Sequence, residues 1–281
     1  MTTPVLQSLH QLYPGAVIDI VTDRRSGEIF THCPFRGELI FKNKRKLFKG
    51  VPALLMQLYA NRYDLIVDLR TDGLSLLLKS KKRMTKKSGK PYGPHAVERH
   101  MGVIREIFQD RPIPDTCVWL TDAEHEFARE RIRGLPGKRW LSVAPGCHVP
   151  VKAWPPSRYA EVCNRLASRF DAVVLLGGTG EQDYTKQMLS LLDLPCLDLV
   201  GRTSLLQAAA MIGQTLLYLG NDSGLGHIAG AVSTPTMTLF GIGDPQRYRP
   251  WGERSLWLQG EDHDINNITV DNVLEAIESI L

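Results

Sequence analysis

Apolar positions fall into short unbroken runs, and the segments between them carry helical spacing. Residues 16–21 are a β-branched run directly after Tyr13-Pro14-Gly15, which reads as helix, turn and buried strand. A second run at 63–69 contains Asp68 and is followed by Asp72. Helical spacing precedes each run, over 4–13, where Pro4 suits a first turn, and over 52–61. A basic segment occupies 79–90, and helical spacing returns over 95–108 and 122–133. Gly134-Leu135-Pro136-Gly137-Lys138 is the linker this pattern predicts, dividing the chain into domains of residues 1–136 and 137–281.

The second half repeats the alternation more regularly. Strands are expected at 140–144, 172–176, 196–199, 216–220 and 236–240. Helices are expected at 156–170, 181–192, 204–212, from 223 to about 232, and at the C-terminus. Strands without polar alternation belong to parallel sheets covered on both faces, so the fold class is α/β. Ligands bind such sheets at the carboxyl ends of their strands. Gly-containing loops follow residues 144, 176, 220 and 240, all at those ends.

Composition narrows the class. With 281 residues, 43% hydrophobic and 23% charged, the chain can build two ordinary cores and is not disordered, collagen-like or disulfide-stapled. No apolar run approaches the ~20 residues of a membrane span, and residues 1–5 lack the start of a signal peptide. Five scattered cysteines (33, 117, 147, 163 and 196) suggest buried, reduced thiols in a cytoplasmic protein. They do not fall at metal-ligand spacing, so no metal is expected. The net charge of +4 hides a division. Residues 1–138 hold 24 Lys and Arg against 15 Asp and Glu, and residues 139–281 hold 10 against 15. The basic positions cluster at 42–49 and at 79–90. Such clusters form a solvated face, or meet a phosphate-rich substrate or an anionic membrane surface. Nothing accompanies them that would read nucleic acid.

The chemistry gathers at the loop after 220. Asp222 and Ser223 can cap the helix that follows, aiming backbone N–H groups and a positive dipole end at an anion. Gly224 and Gly226 allow a ligand near the backbone, and His227 sits one turn inside; a plain capped helix with a packed histidine is the ordinary alternative. Lys152, after a strand and before a proline-set helix, can neutralise a phosphate. Glu181, after Gly177-Gly178-Thr179-Gly180, can accept ribose hydroxyls or serve as a dipole partner. No GxxxxGK[ST] loop occurs, no GxGxxG follows a first strand, and there is no Gly-x-Ser-x-Gly elbow.

Residues 220–231, continuing to Thr234-Pro235 and Leu239-Phe240-Gly241, resemble the most recognisable stretch of the family 9 glycosyltransferases, the bacterial heptosyltransferases of lipopolysaccharide core assembly. Residues 145–159, with Lys152-Ala153-Trp154-Pro155, are similar to that family's phosphate-binding K-x-W-P element. Residues 95–99 resemble a motif of its acceptor-side domain, and residues 2–6 the start of its first helix. The resemblance implies a GT-B architecture, two Rossmann-like domains with parallel sheets facing a cleft. It implies inverting, metal-independent and cofactor-free transfer of heptose from an ADP-heptose-type nucleotide-sugar. The acceptor would be the Kdo or heptose of a lipid-linked anionic oligosaccharide, reached by peripheral contact with the cytoplasmic face of the inner membrane. Donor binding would fall to Lys152, Glu181, Asn221, Asp222, Ser223, Gly224 and His227. Acceptor binding would fall to His95, Arg99, Lys81, Lys82, Lys86 and Lys87.

Family members open with a strand and a Gly-Asp loop whose aspartate is the base candidate. This sequence starts at the helix that follows, so that strand and that base are expected to be missing, leaving sheet edges exposed. Asp68 and Asp72 then stand as replacements. Three other readings are a GT-B enzyme for a different nucleotide-sugar, a sugar-nucleotide epimerase of related fold, and a nucleotide-sugar-binding protein without catalysis.

Overall fold

The unbroken apolar runs of the second half become one parallel sheet in the computed structural model, which describes residues 1–42, 51–70 and 73–280. Its strands are β5 (Trp140–Ala144), β6 (Ala172–Leu175), β7 (Cys196–Asp198), β8 (Leu217–Asn221), β9 (Thr236–Phe240) and β10 (Ser255–Gln259). They lie in the order β10-β9-β8-β5-β6-β7, all parallel, with Leu141 opposite Leu217 and Tyr218 opposite Thr236. Leu141, Val143, Val173, Leu175, Leu217, Leu219, Met237 and Leu239 are fully buried. Each such aliphatic side chain contributes about 1.5–3 kcal/mol relative to exposure.

The helices covering this sheet begin where local chemistry starts them. Helix α5 (Pro156–Arg165) opens on a proline in its first turn. Helix α7 (Leu205–Ile212) opens on a capping box of Ser204 and Gln207, and α9 (Val270–Glu278) on one of Thr269 and Asn272. Between them lie α6 (Gln182–Leu189) and α8 (Gly224–Ala231).

The first half holds strands β1 (Ile18–Thr22), β2 (Arg36–Phe41), β3 (Tyr63–Asp68) and β4 (Ser80–Thr85), and helices α1 (Thr3–Leu12), α2 (Val51–Tyr59) and α3 (Ala96–Met101). The strands pair as β1-β2 and β3-β4, both parallel, so every described strand of this half is an edge strand. Leu6 of α1 packs with Phe30 and Cys33, while Leu54 and Leu58 of α2 pack with Ile40 and Leu78. Unlike β5, β8 and β9, whose residues are all buried, β1 and β3 are only half-buried.

Three strands were not expected from the sequence. Arg36–Phe41 follows a short irregular stretch, Ser80–Thr85 lies inside the basic segment with only Met84 buried, and Ser255–Gln259 is one of the two outer strands of the six-stranded sheet. Helix α3 is shorter than the expected 95–108, because the backbone tightens into a 3-10 turn at Gly102–Ile104 before a last turn, Arg105–Phe108.

The compact units are Met1–Trp119 and Leu120–Leu281, so the boundary expected at 136/137 falls inside the second unit. Helix α4 (Asp122–Ile132) packs on α7, which places it with the second sheet. The expected linker is pinned as well. Gly137 turns the chain at φ +61°, and Asp171 closes the turn by accepting the N–H groups of Lys138 and Arg139, both at 2.9 Å. Its other oxygen accepts Nη2 of Arg139 at 2.6 Å and Nε at 3.1 Å. These bonds from Arg139 hold the Asp171 carboxyl well below the usual carboxylate range.

Candidate functional site

Strands β5 and β8 are neighbours, and the loops leaving their carboxyl ends are tied together by Asn221. This residue ends β8 fully buried. Its Nδ2 donates to the carbonyls of Pro145 and Gly146, both at 3.2 Å. Its Oδ1 accepts from the Trp154 backbone N–H and the Tyr159 hydroxyl, both at 2.9 Å. One amide thus holds both ends of the 145–154 loop. Trp154, also fully buried, donates its indole N–H to the Ile268 carbonyl at 3.0 Å and meets the Tyr159 ring edge-on at 5.0 Å. Burial pushes the Tyr159 phenol well above its ordinary range, so it remains a donor to Asn221.

From this anchored loop a single 3-10 turn, Pro150–Lys152, carries Lys152 to Asp222, with Nζ 2.5 Å from Oδ2. The side chains are 27% and 12% exposed, so the pair is only partly solvated. Helix α8 starts two residues after Asp222. Its N-cap, Ser223, is extended and makes no side-chain bond into the first turn, contrary to the expected capping role. The first-turn N–H groups are therefore not closed by a side chain. A Cβ at Gly224 would meet nothing within 4 Å, so space lies in front of the helix. A helix N-terminus beside an ammonium favours an anion. The Asp222 carboxylate would oppose one if it were unpaired, and Lys152 offsets its charge. His227 is half-buried one turn into α8. Glu181 stands at the next loop, after β6, with Oε2 accepting the Gly178 N–H at 3.0 Å and its stem against Gly146 of the β5 loop.

The fold thus brings Lys152, Glu181, Asp222, Ser223, Gly224 and His227 to adjoining strand ends of the second unit, while Asn221 faces inward and spends its hydrogen bonds on protein. The acceptor-side candidates are more dispersed. His95 is 1% exposed and caps α3, its Nδ1 accepting from the Val97 N–H at 3.2 Å while Glu98 accepts the His95 N–H at 2.9 Å. It offers a ligand no surface. Arg99 is exposed one turn on. Lys81 pairs with Asp64 at 2.7 Å and Lys82 with Glu106 at 2.6 Å, on strand β4, and Lys86 and Lys87 are exposed just beyond it. Asp68 has both oxygens engaged, by the Arg70 N–H at 2.9 Å and the Ser75 hydroxyl at 2.5 Å. Asp72 and the basic positions between 43 and 50 lie outside the described residues.

Sequence reasoning missed a cavity of about 350 Å³ at the ends of β9 and β10, lined by Ile242, Gly243, Asp244, Pro245, Gln259 and His263. The alternation of Leu256 and Leu258 with Ser255, Trp257 and Gln259 was the available signal for β10, and with it for this cavity. The cysteines are free thiols. Burial pushes Cys117 up to about 11 and Cys196 up to about 12, so neither is a thiolate at neutral pH. Among the described residues no three His, Cys, Asp or Glu are grouped to hold a metal ion, and no helix is long and apolar enough to cross a membrane.

Residues 53–267 match the family described as Glycosyltransferase family 9 (heptosyltransferase). The chain is 28% identical over 286 residues to lipopolysaccharide heptosyltransferase 3 of Escherichia coli K12, covering 90% of this chain and 82% of that protein. A family 9 glycosyl transferase structure from Veillonella parvula superposes with a TM-score of 0.86 at 20% identity, covering 99% of this chain and 92% of that one. The E. coli heptosyltransferase WaaC, solved with ADP-2-deoxy-2-fluoro heptose, superposes with a TM-score of 0.74 at 20% identity, covering 99% and 94%. These likenesses establish the fold as the α/β, GT-B one.

Proposed function

The chain belongs to glycosyltransferase family 9, and from that premise we propose that it transfers a heptose from ADP-heptose to a sugar hydroxyl of a lipopolysaccharide core acceptor. It is a glycosyltransferase of the heptosyltransferase group. The observation that carries the donor assignment is the Lys152–Asp222 pair set beside the side-chain-uncapped N-terminus of α8. The diphosphate of the donor lies there in this reading, and Glu181 takes the ribose. As the sugar–phosphate bond breaks, negative charge grows on the departing diphosphate. Lys152 and the first-turn N–H groups already face that charge. Removal of one such preorganised donor costs about 3–4 kcal/mol of barrier, or 10²–10³ in kcat. Transfer is inverting in this proposal, and it is independent of a metal ion because, with Asp222 offset by Lys152, the dipole and first-turn N–H groups of α8 meet the growing negative charge.

The acceptor belongs to the first unit in the same reading. Its lysines at 81, 82, 86 and 87, with Arg99, suit the phosphates of a lipid-linked anionic oligosaccharide, and support a reading of peripheral contact with the cytoplasmic face of the inner membrane. Asp68 is a poor general base with both oxygens engaged, and His95 acts as a helix cap in support of α3. Thermal shift measures the donor reading directly. ADP and ADP-heptose are expected to raise Tm, UDP is not, and Lys152→Ala is expected to remove most of the shift. Stabilisation by UDP alone would move the chain to another nucleotide-sugar. Donor binding without transfer to any core acceptor would favour a binding protein over an enzyme.

A further inference from the structure

We infer that helix α2 and the turn Leu74–Leu77 form a docking surface whose apolar side chains enter the headgroup region of an anionic phospholipid bilayer. The inference rests on the peripheral contact proposed above, which it localises, and is independent of the donor assignment. Helix α2 has the sequence VPALLMQLY, with no charged residue and a single amide, Gln57. Its inward side is that of any helix on a core: Leu54 and Leu58 are buried and pack with Ile40 and Leu78. Its outward side is apolar as well. Met56 is 78% exposed and Tyr59 51%, where a helix covering a core ordinarily carries polar residues. Gln57 does not restore that polarity, since its Nε2 is spent on Oε1 of Glu38 at 2.6 Å.

A second exposed apolar segment lies beside the first. Gly73, at φ +84°, leads the chain into the 3-10 turn Leu74–Leu77. Leu74 and Leu78 pack with Leu54 and Leu58, which fixes the turn against α2. Leu76 and Leu77 are left 65% and 59% exposed. Lys79 ties the two segments together, its Nζ 4.5 Å from the centre of the Tyr59 ring. Single exposed apolar side chains are common, but several on two elements packed together mark a surface that is covered in use.

Charge names what covers it. Arg62, just after α2, and Lys79, just after the turn, are both exposed, with Lys81 and Lys82 farther along β4. The carboxylate of Asp64 is offset by Lys81 at 2.7 Å. An anionic leaflet attracts such cations. Tyrosine and lysine both divide their length between apolar and polar surroundings, so Tyr59 with Lys79 over its ring suits the level of the headgroups. A second copy of the chain fits less well, because a two-fold pairing sets the patch on itself and brings Arg62 and Lys79 against their own counterparts.

Co-sedimentation of the full chain with vesicles of phosphatidylethanolamine and phosphatidylglycerol, at low and at high salt, separates apolar insertion from charge attraction. The natural chain is expected to bind and to keep part of that binding at high salt. Met56→Gln combined with Leu77→Gln is expected to weaken partitioning about tenfold and to abolish the salt-resistant part. Tm and ADP affinity should not change, because both side chains are exposed. Met56→Leu combined with Leu77→Met should bind as the natural chain does. Undiminished vesicle binding by the glutamine pair would overturn the inference and leave peripheral contact to the lysines alone. Loss of binding in the conservative pair would also overturn it, since apolar character would then not decide the contact. Self-association of the natural chain without lipid, relieved by the glutamine pair, would assign the surface to a second copy instead. No binding of the natural chain at either salt concentration would overturn the peripheral contact itself, and the docking surface with it.

Discussion

At the scale of single residues, the candidate site divides into side chains left at the strand ends and side chains whose hydrogen bonds are spent on the protein. Lys152 and Asp222 were singled out from their places between a strand and a helix, but their pairing was not legible, since Asp222 was expected to cap and the two lie 70 positions apart. Asn221, one position earlier, was read as a ligand contact and is instead the bolt of the β5 loop. Its direction follows from strand register, since the last residue of β8 points wherever pleating leaves it, and a linear motif does not encode that. His95 differed for a related reason: an imidazole at a helix start can bind outward or cap inward, and Glu98 decides for the cap by returning the bond. Asn221→Ala is expected to leave the Trp154 N–H and the Tyr159 hydroxyl buried without acceptors, at a cost of about 1–3 kcal/mol for each group. Urea unfolding should show the lower stability, and ADP affinity should fall with it as the loop bearing Lys152 loosens. Full stability with full ADP affinity in this variant would show that the loop is held by other contacts.

At the scale of elements, the strands buried on both faces were all legible, and the three that were missed, β2, β4 and β10, are edge strands, although β1, β3 and β7, also at edges, were legible. β5, β6, β8 and β9 are continuous apolar runs because helices cover both sides of them. β4 reads as charge because one face is solvent, and lysines suit an edge strand. The 134–138 stretch reads as a linker by composition, yet Asp171 and Arg139 clamp it to the start of β5. That clamp carries a pH signature. The folded Asp171 carboxyl titrates below its unfolded value of about 3.9, so its contribution is present above about pH 4 and is lost as pH falls toward the folded value. Between pH 5 and 2, Tm of the natural chain should therefore fall more steeply than that of Asp171→Asn, which lacks the titrating group. Parallel curves would show that the clamp contributes no stability.

At the scale of the whole molecule, charge separates along the chain as the sequence suggested, but the division coincides with different units than the linker implied. Residues 1–119 hold 20 Lys and Arg against 11 Asp and Glu, so the excess positive charge belongs to the unit that does not carry the proposed donor site. Reversal of Lys81, Lys82, Lys86 and Lys87 to glutamate should weaken binding to anionic phospholipid vesicles and to a core acceptor, with ADP binding unchanged. The ion pairs lost are solvent-exposed and screened, so folding should survive. Loss of ADP binding as well would point to damage beyond the acceptor surface.

The packing of α4 on α7 has a consequence for recombination. In chimeras with other family members, the Gly-Leu-Pro-Gly stretch at 134–137 looks like the natural splice point. A cut there would take α4 from one parent and α7 from the other, so that two surfaces never selected together must mate. Crossover near Leu120 keeps both helices from one parent, and makes the second unit, with its candidate donor site, an exchangeable cassette.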